Sequence, residues 1–206
     1  MQRLHSAFLI DLDVEVDSYY MDRPFYFRIR MNDMDNFPIC QVVGYKNSGK
    51  TMLMSRLIHY FSKQNMQVGT LKHHGHGGEP ALVKETDSYK HLQDGATVSA
   101  VQGEQQLQIT FNNIPAFPLQ KLIEYYRAFP IDVLLIEGYK HAAYPKIVLL
   151  QEKHDLYLLD ELTNIIAVGS NKKELLTALP HFTFYVSEVD FYLPALAADI
   201  NNLRKC

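Results

Sequence analysis

The run "GYKNSGKT" at residues 44–51 constrains this chain more than any other stretch. Gly44, Gly49, Lys50 and Thr51 fill the pattern GxxxxGK[ST]. The pattern stands between an apolar run, "ICQVV" (39–43), and an amphipathic one, "SGKTMLMSRLIHYFSKQ" (48–64). Strand, loop and helix form the frame in which this pattern holds phosphate. Its glycines let backbone N–H groups turn inward where a side chain would intrude. Lys50 can reach the β- and γ-phosphates, and Thr51 can offer its hydroxyl to Mg²⁺. The N-terminus of the following helix adds its positive end. The frame argues against a mere glycine-rich turn, and it predicts a bound nucleotide without saying what becomes of it.

Downstream, short apolar runs keep alternating with amphipathic ones. Strands are expected at 66–73, 131–138, 146–150 and 164–170. Helices are expected at 87–96, 117–129, near 171–178 and at 188–203. Asp87 or Ser88 would cap the first of these, Gly95 would stop it, and Pro118 falls in the first turn of the second. "TVSAVQG" (97–103) and "QLQITF" (106–111) read as a hairpin turning near Gly103. Alternation of this kind predicts an α/β fold of the P-loop NTPase type: a mostly parallel sheet with helices on both faces, plus a small β-hairpin insertion.

Residues 1–38 do not follow that rhythm. Two readings stay open, an N-terminal appendage or a stretch upstream of the natural start, since Met34 stands five residues before the first strand. The nucleotide-binding domain is expected over residues 39–206. Residues 1–38 hold four arginines against seven acids, which leaves sixteen basic and sixteen acidic residues in the rest. With a net charge of −3, the chain has no broad basic field for nucleic acid or an anionic membrane. Cys40 and Cys206 are its two cysteines, without a CxxC pair, which suits a reducing compartment. No apolar run is long enough to span a bilayer, and acids interrupt "FLIDLDVEVD" too early for a signal peptide. A soluble cytoplasmic protein is expected.

A phosphate loop needs an acidic partner on a neighbouring strand to hold Mg²⁺ or its water. "DVLLIEGYK" supplies Glu137 at the carboxyl end of a buried strand, where ligands gather in such sheets; Asp132 is at the wrong end. Asp87 reads equally as a helix cap and as a residue for metal or water. "LKHHGHGGEP" (71–80) gathers Lys72, His73, His74 and His76. No cysteine or spaced histidine pair completes a tetrahedral zinc set nearby. These residues are therefore expected on a mobile loop, hinged by Gly75, Gly77 and Gly78, that meets a phosphorylated ligand or a partner.

Lys140 and Lys146 read as surface lysines or as ligand contacts at the sheet edge that carries the phosphate loop. "GSNKKE" (169–174) resembles the Asn-Lys-x-Asp guanine reader, read here with Glu174 out of step with the Asp, which leaves Asn171 as a candidate for base contact. Tyr125, Tyr126 and Phe129 are expected to pack a helix. From residue 39 onward the arginines are Arg56, Arg127 and Arg204, all in expected helices, so no lid arginine is evident. That weighs against a small-molecule kinase, which clamps its phosphoryl group with such residues.

Taken together, "QVVGYKNSGKT", "VGTLKHHGHGG", "TDSYKHLQDGA" and "LLIEGYKHAAYPKI" resemble the molybdopterin-guanine dinucleotide biosynthesis protein B (MobB) family over residues 39–206. The resemblance implies a homodimeric GTP-binding adaptor of molybdenum cofactor biosynthesis, using Mg²⁺ and hydrolysing GTP slowly. Its implied partners are the molybdenum cofactor guanylyltransferase and molybdopterin-handling proteins. Gly44, Asn47, Ser48, Gly49, Lys50 and Thr51 would hold the phosphates, and Thr51 and Glu137 the metal. Asp87 and Glu137 would be the catalytic residues, with His73 and Lys140 on the ligand side of the cleft. Met52 stands where relatives often carry a second threonine. The alternative is a small P-loop kinase or another phosphotransferase acting on a small molecule. The residues themselves do not separate GTP from ATP.

Overall fold

The computed structural model describes residues 37–74, 80–113, 115 and 117–203. Expectations for residues 1–36, for Gly75, His76, Gly77 and Gly78, and for Arg204 and Cys206 lie outside the described residues.

The apolar runs form eight strands: β1 (Ile39–Gly44), β2 (Val68–Lys72), β3 (Val98–Gln102), β4 (Leu107–Phe111), β5 (Val133–Glu137), β6 (Lys146–Leu150), β7 (Ile165–Ser170) and β8 (Phe182–Tyr185). The helices are α1 (Lys50–Lys63), α2 (Asp87–Gln93), α3 (Leu119–Tyr126), α4 (Tyr157–Glu161) and α5 (Val189–Asn202). Six strands make one sheet in the order β2-β5-β1-β6-β7-β8, every pair parallel. β3 and β4 pair antiparallel as the separate hairpin, and Gly103 closes its turn by donating to the Gln106 carbonyl.

Side chains alternate across the sheet as the strand period requires. Cys40, Val42, Val133, Leu135, Ile147 and Leu149 face Leu53, Leu57 and Phe61 of α1 and Leu196 and Ile200 of α5. Val43, Val148, Leu150 and Val168 meet Leu158 of α4, and Leu134 and Ile136 meet Leu119 and Ile123 of α3. Helices thus cover both faces, and the strands buried on both sides read as unbroken apolar runs. β5 and β6 are buried at every position.

Several details differ from expectation. The cap of α2 is Thr86, whose side chain accepts from the Tyr89 N–H at 3.3 Å; its extended backbone suits a cap, whereas Asp87 is already helical. Gly95 does end that turn, in the left-handed region at φ +109°. Pro118 is the cap of α3 rather than a residue of its first turn.

The helix expected near 171–178 is only a 3₁₀ turn over Lys173–Leu175. α4 and β8 had no sequence signal of their own, being five and four residues long. The turn before α4 is set by Asp155, whose carboxylate accepts from the Gln151 and Glu152 N–H groups. Lys146 is a correction: it opens β6 at the end of the sheet away from the phosphate loop. It is fully buried, and its ammonium donates to the Ala142 and Thr163 carbonyls at 2.8 and 2.7 Å.

Candidate nucleotide site

Glycine 44 turns the chain out of β1 where nothing larger fits. At φ +153°, a Cβ there would lie 2.6 Å from both the Leu149 carbonyl oxygen and Ser48 Oγ. Asn47 adopts the left-handed region at φ 64°, which asparagine tolerates better than most residues. Gly49 does so at φ 93° and forms the N-cap of α1. That helix start has no side-chain cap and no acid in its first turn, so its N–H groups and dipole remain open to an anion. Ser48 Oγ is buried without a hydrogen-bond partner among the described residues, a donor facing the same loop.

Lys50 folds back over the loop and donates to the Tyr45 carbonyl at 2.5 Å. Partial burial holds its pKa below the usual lysine range; the Glu137 carboxylate opposes that shift and the Lys72 ammonium adds to it. The register of the sheet explains these neighbours. Glu137 pairs with Val42 of β1 on one side and with Lys72 of β2 on the other. Glu137 is only 9% exposed, Lys72 Nζ lies 3.2 Å from its Oε1, and Thr51 donates its hydroxyl to the same carboxylate at 3.3 Å. Asp132, at the opposite end of β5, accepts from the Gln67 N–H instead.

The loop after β5 is built around this carboxylate. The His73 N–H donates to the Glu137 carbonyl at 2.9 Å, and its ring stacks on Tyr139 at 4.4 Å. Gly138, at φ +100°, permits that approach, since a Cβ would come within 3.0 Å of His73 Cβ. Gln41 donates to the Gly138 and Tyr139 carbonyls at 2.9 and 2.7 Å, tying this loop to β1. Lys140 Nζ sits 4.7 Å from the centre of the Tyr45 ring, a cation over an aromatic face.

The candidates therefore fall into groups. Lys50, Thr51 and Glu137 come together with the phosphate loop, while His73 and Lys140 lie at the rim. Asp87 is exposed at the start of α2 and pairs with Lys90 of its own helix at 2.8 Å. Reading the sequence missed Gln41 as the anchor of the rim and Lys72 as the partner of Glu137. A glutamine inside an otherwise apolar strand was the available signal for the first. Glu174 is in step with the Asn-Lys-x-Asp pattern, at its fourth position from Asn171, and its side chain is exposed.

A cleft of about 510 Å³ runs beside α1 and β2, lined by Thr51, Glu137, Lys72, Met54 and Ile58 among others. A second, of about 230 Å³, lies between the phosphate loop and the end of β7. Among the described residues no group of three or more His, Cys, Asp or Glu side chains could hold a metal by itself. Mg²⁺ beside a phosphate chain needs no such group: one or two protein oxygens suffice, with phosphate and water as the other ligands. The Thr51 hydroxyl and Glu137 carboxylate fit that requirement.

Fold and loop together define a P-loop α/β protein, with the loop at the carboxyl end of the sheet and an acid on the adjacent strand. The chain belongs to the family described as "Molybdopterin guanine dinucleotide synthesis protein B" (MobB), whose model matches residues 39–171. It is 46% identical over 172 residues to the "Probable molybdopterin-guanine dinucleotide biosynthesis adapter protein" of Bacillus subtilis, covering 79% of this chain and 95% of the relative. The Escherichia coli adapter protein is 25% identical over 81% of this chain and 87% of its own length. Among solved structures, Bacillus subtilis MobB superposes with a TM-score of 0.66 at 39% identity, covering 80% of this chain and 98% of that one. The MobB homolog of Bacillus stearothermophilus gives 0.64 at 31%, with the same coverage.

Proposed function

We propose that this protein is a GTP-binding adaptor of molybdenum cofactor biosynthesis that assists the attachment of a guanine nucleotide to molybdopterin. The adapter role rests on the name of the 46% identical relative. The nucleotide rests on the phosphate loop and, above all, on the Thr51 hydroxyl bonded to Glu137 at 3.3 Å beside Lys50.

In this reading the loop N–H groups and Lys50 bind the phosphates, and Thr51 and Glu137 hold Mg²⁺, which neutralises phosphate charge when bound. His73 and Lys140 complete the ligand side of the cleft, and Asp87 acts from α2 if that helix closes on the site. Hydrolysis is slow, because an arginine finger worth about 10³–10⁵ in rate has no counterpart in the clefts among the described residues. Arg56 pairs with Asp190 and Arg127 caps the end of α3; neither lines them. That also weighs against the small-molecule kinase.

The partners are the guanylyltransferase, molybdopterin-handling proteins and a second copy of the chain. For the homodimer the support is the separate hairpin, which exposes Val98, Val101, Leu107 and Ile109 by 46 to 60%. A cytoplasmic location belongs to the same reading; among the described residues no helix is long and apolar enough to cross a membrane.

Calorimetric titration of GTP with and without Mg²⁺, on the protein and its Lys50→Ala variant, tests the nucleotide. Purified guanylyltransferase assayed with and without the protein tests the adaptor. Absence of binding, or rapid label transfer from GTP to a small acceptor, would overturn it.

A further inference from the structure

Gln41 stands inside β1, fully buried between Cys40 and Val42. A buried carboxamide costs stability unless its groups are bonded. Both hydrogens of its Nε2 are used, on the Gly138 carbonyl at 2.9 Å and the Tyr139 carbonyl at 2.7 Å. Carbonyls only accept, so this pair decides which end of the carboxamide is nitrogen. Its Oε1 is buried with no hydrogen-bond partner among the described residues, which counts against Gln41 as a mere stabiliser of the sheet. Its backbone N–H donates to the Pro145 carbonyl at 2.8 Å. Residues 138–145 connect β5 to β6 without a helix, and Gln41 grips that connection at both ends.

The end gripped by the side chain is a strained turn. Gly138 lies at φ +100° and Tyr139 at φ 52°, both in the left-handed region. A bulky residue there is an outlier, and it persists only where its surroundings over-determine it. Besides the Gln41 bonds, the Gly138 N–H donates to the Val42 carbonyl at 3.0 Å and the Tyr139 ring stacks on His73. The turn starts directly after Glu137 and ends directly before Lys140. Gln41 lines neither cleft, so it reaches the site through the backbone on which Glu137 is carried.

We propose that Gln41 is a positioning residue for Mg²⁺. By locking the turn at residues 138 and 139 it fixes the direction in which the Glu137 carboxylate leaves the strand end, toward the Thr51 hydroxyl at 3.3 Å. The proposal rests on the nucleotide and Mg²⁺ reading above and adds to it how the acid is aimed. Groups that orient a metal ligand are worth about 10- to 100-fold in metal affinity. Gln41 acts through the backbone, which puts its share at the lower end, about tenfold. The loop N–H groups and Lys50 do not depend on this turn, so the phosphates keep their grip without it.

The test is calorimetric titration of the full chain with GTP, in EDTA and over a series of Mg²⁺ concentrations, repeated on Gln41→Met and Gly138→Ala. Methionine keeps the length and bulk of the side chain but donates nothing. Alanine at 138 leaves Gln41 in place and moves the same turn, since its Cβ would come within 3.0 Å of His73 Cβ. In both variants the Mg²⁺ concentration that half-saturates GTP binding is expected to rise about tenfold, with GTP affinity in EDTA kept within about twofold. An unchanged Mg²⁺ midpoint in Gln41→Met, with its thermal unfolding temperature lowered or not, would overturn the proposal and leave the nucleotide site standing. An equal fall in affinity with and without Mg²⁺ would also overturn it, because the loop and not the acid would then be disturbed. Failure of the unaltered protein to bind GTP, or binding without any response to Mg²⁺, would overturn the underlying reading as well. Gly138→Ala decides the matter if Gln41→Met does not fold.

Discussion

Lys72 and Glu137 stand side by side at the carboxyl ends of β2 and β5, paired in register, with Nζ 3.2 Å from Oε1. The ammonium therefore sits against the carboxylate that the Mg²⁺ reading requires. Lys72 satisfies a buried acid; on the reading proposed above, it would compete with Mg²⁺ for that acid when nucleotide binds. Lys72→Met is expected to lower the Mg²⁺ concentration that half-saturates GTP binding. Because Lys72 is 60% exposed, solvent weakens the pair, and the shift should be no more than about fivefold. A magnesium titration at fixed GTP reads it directly, and an unchanged or raised midpoint would show that Lys72 does not compete.

Lys50 folds over the loop itself, with its ammonium on the Tyr45 carbonyl. Lys50→Ala is expected to weaken GTP binding by about 10- to 100-fold, the range for losing a hydrogen bond to a charged group. Its side chain is only partly buried and fills no core position, so thermal unfolding of the nucleotide-free variant should match that of the parent. A large fall in melting temperature would mean that Lys50 supports the loop rather than the ligand.

Gly44→Ala separates loop geometry from loop chemistry. The added Cβ would meet the Leu149 carbonyl oxygen and Ser48 Oγ at 2.6 Å, and a backbone oxygen in β6 cannot swing aside. The loop must therefore shift away from β6. The expected outcome is loss of nucleotide binding together with lower stability, read by calorimetry and by urea unfolding. Gly95→Ala, where a Cβ would meet nothing within 4 Å, controls for the strain of a positive φ alone.

How much of this was legible in the sequence follows from how far each feature depends on its neighbours in the chain. The phosphate loop is a local object, and its strand, turn and helix announce themselves within 26 residues, 39–64. Glu137 could be found because a buried strand ends on it. Lys146 was misplaced because its position depends on which way β6 runs, and a parallel sheet sends the start of that strand to the far edge. The Lys72–Glu137 pair is a matter of register between strands 65 residues apart in the chain, which no local period encodes. α4 and β8 span barely a turn and four residues; tertiary packing of Leu158 and Phe184 holds them, not local preference.

Cys40 offers a test of the core that is independent of any ligand. It is fully buried in β1, and burial pushes its thiol up to about 12, against 9.0 for an ordinary one. The folded state therefore keeps a proton that the unfolded state gives up between those values. A raised pKa contributes stability that is complete below pH 9 and lost as pH rises toward 12, because there the unfolded chain binds fewer protons. Two outcomes are expected. At pH 8 the native thiol resists a thiol reagent that modifies it promptly in urea. Between pH 9 and 12, the fall in stability of the parent is steeper than that of Cys40→Ala, measured by urea unfolding at each pH. Equal slopes would show that other groups carry the alkaline transition, and prompt labelling at Cys40, read separately from Cys206 by peptide mapping, would show that β1 opens to solvent.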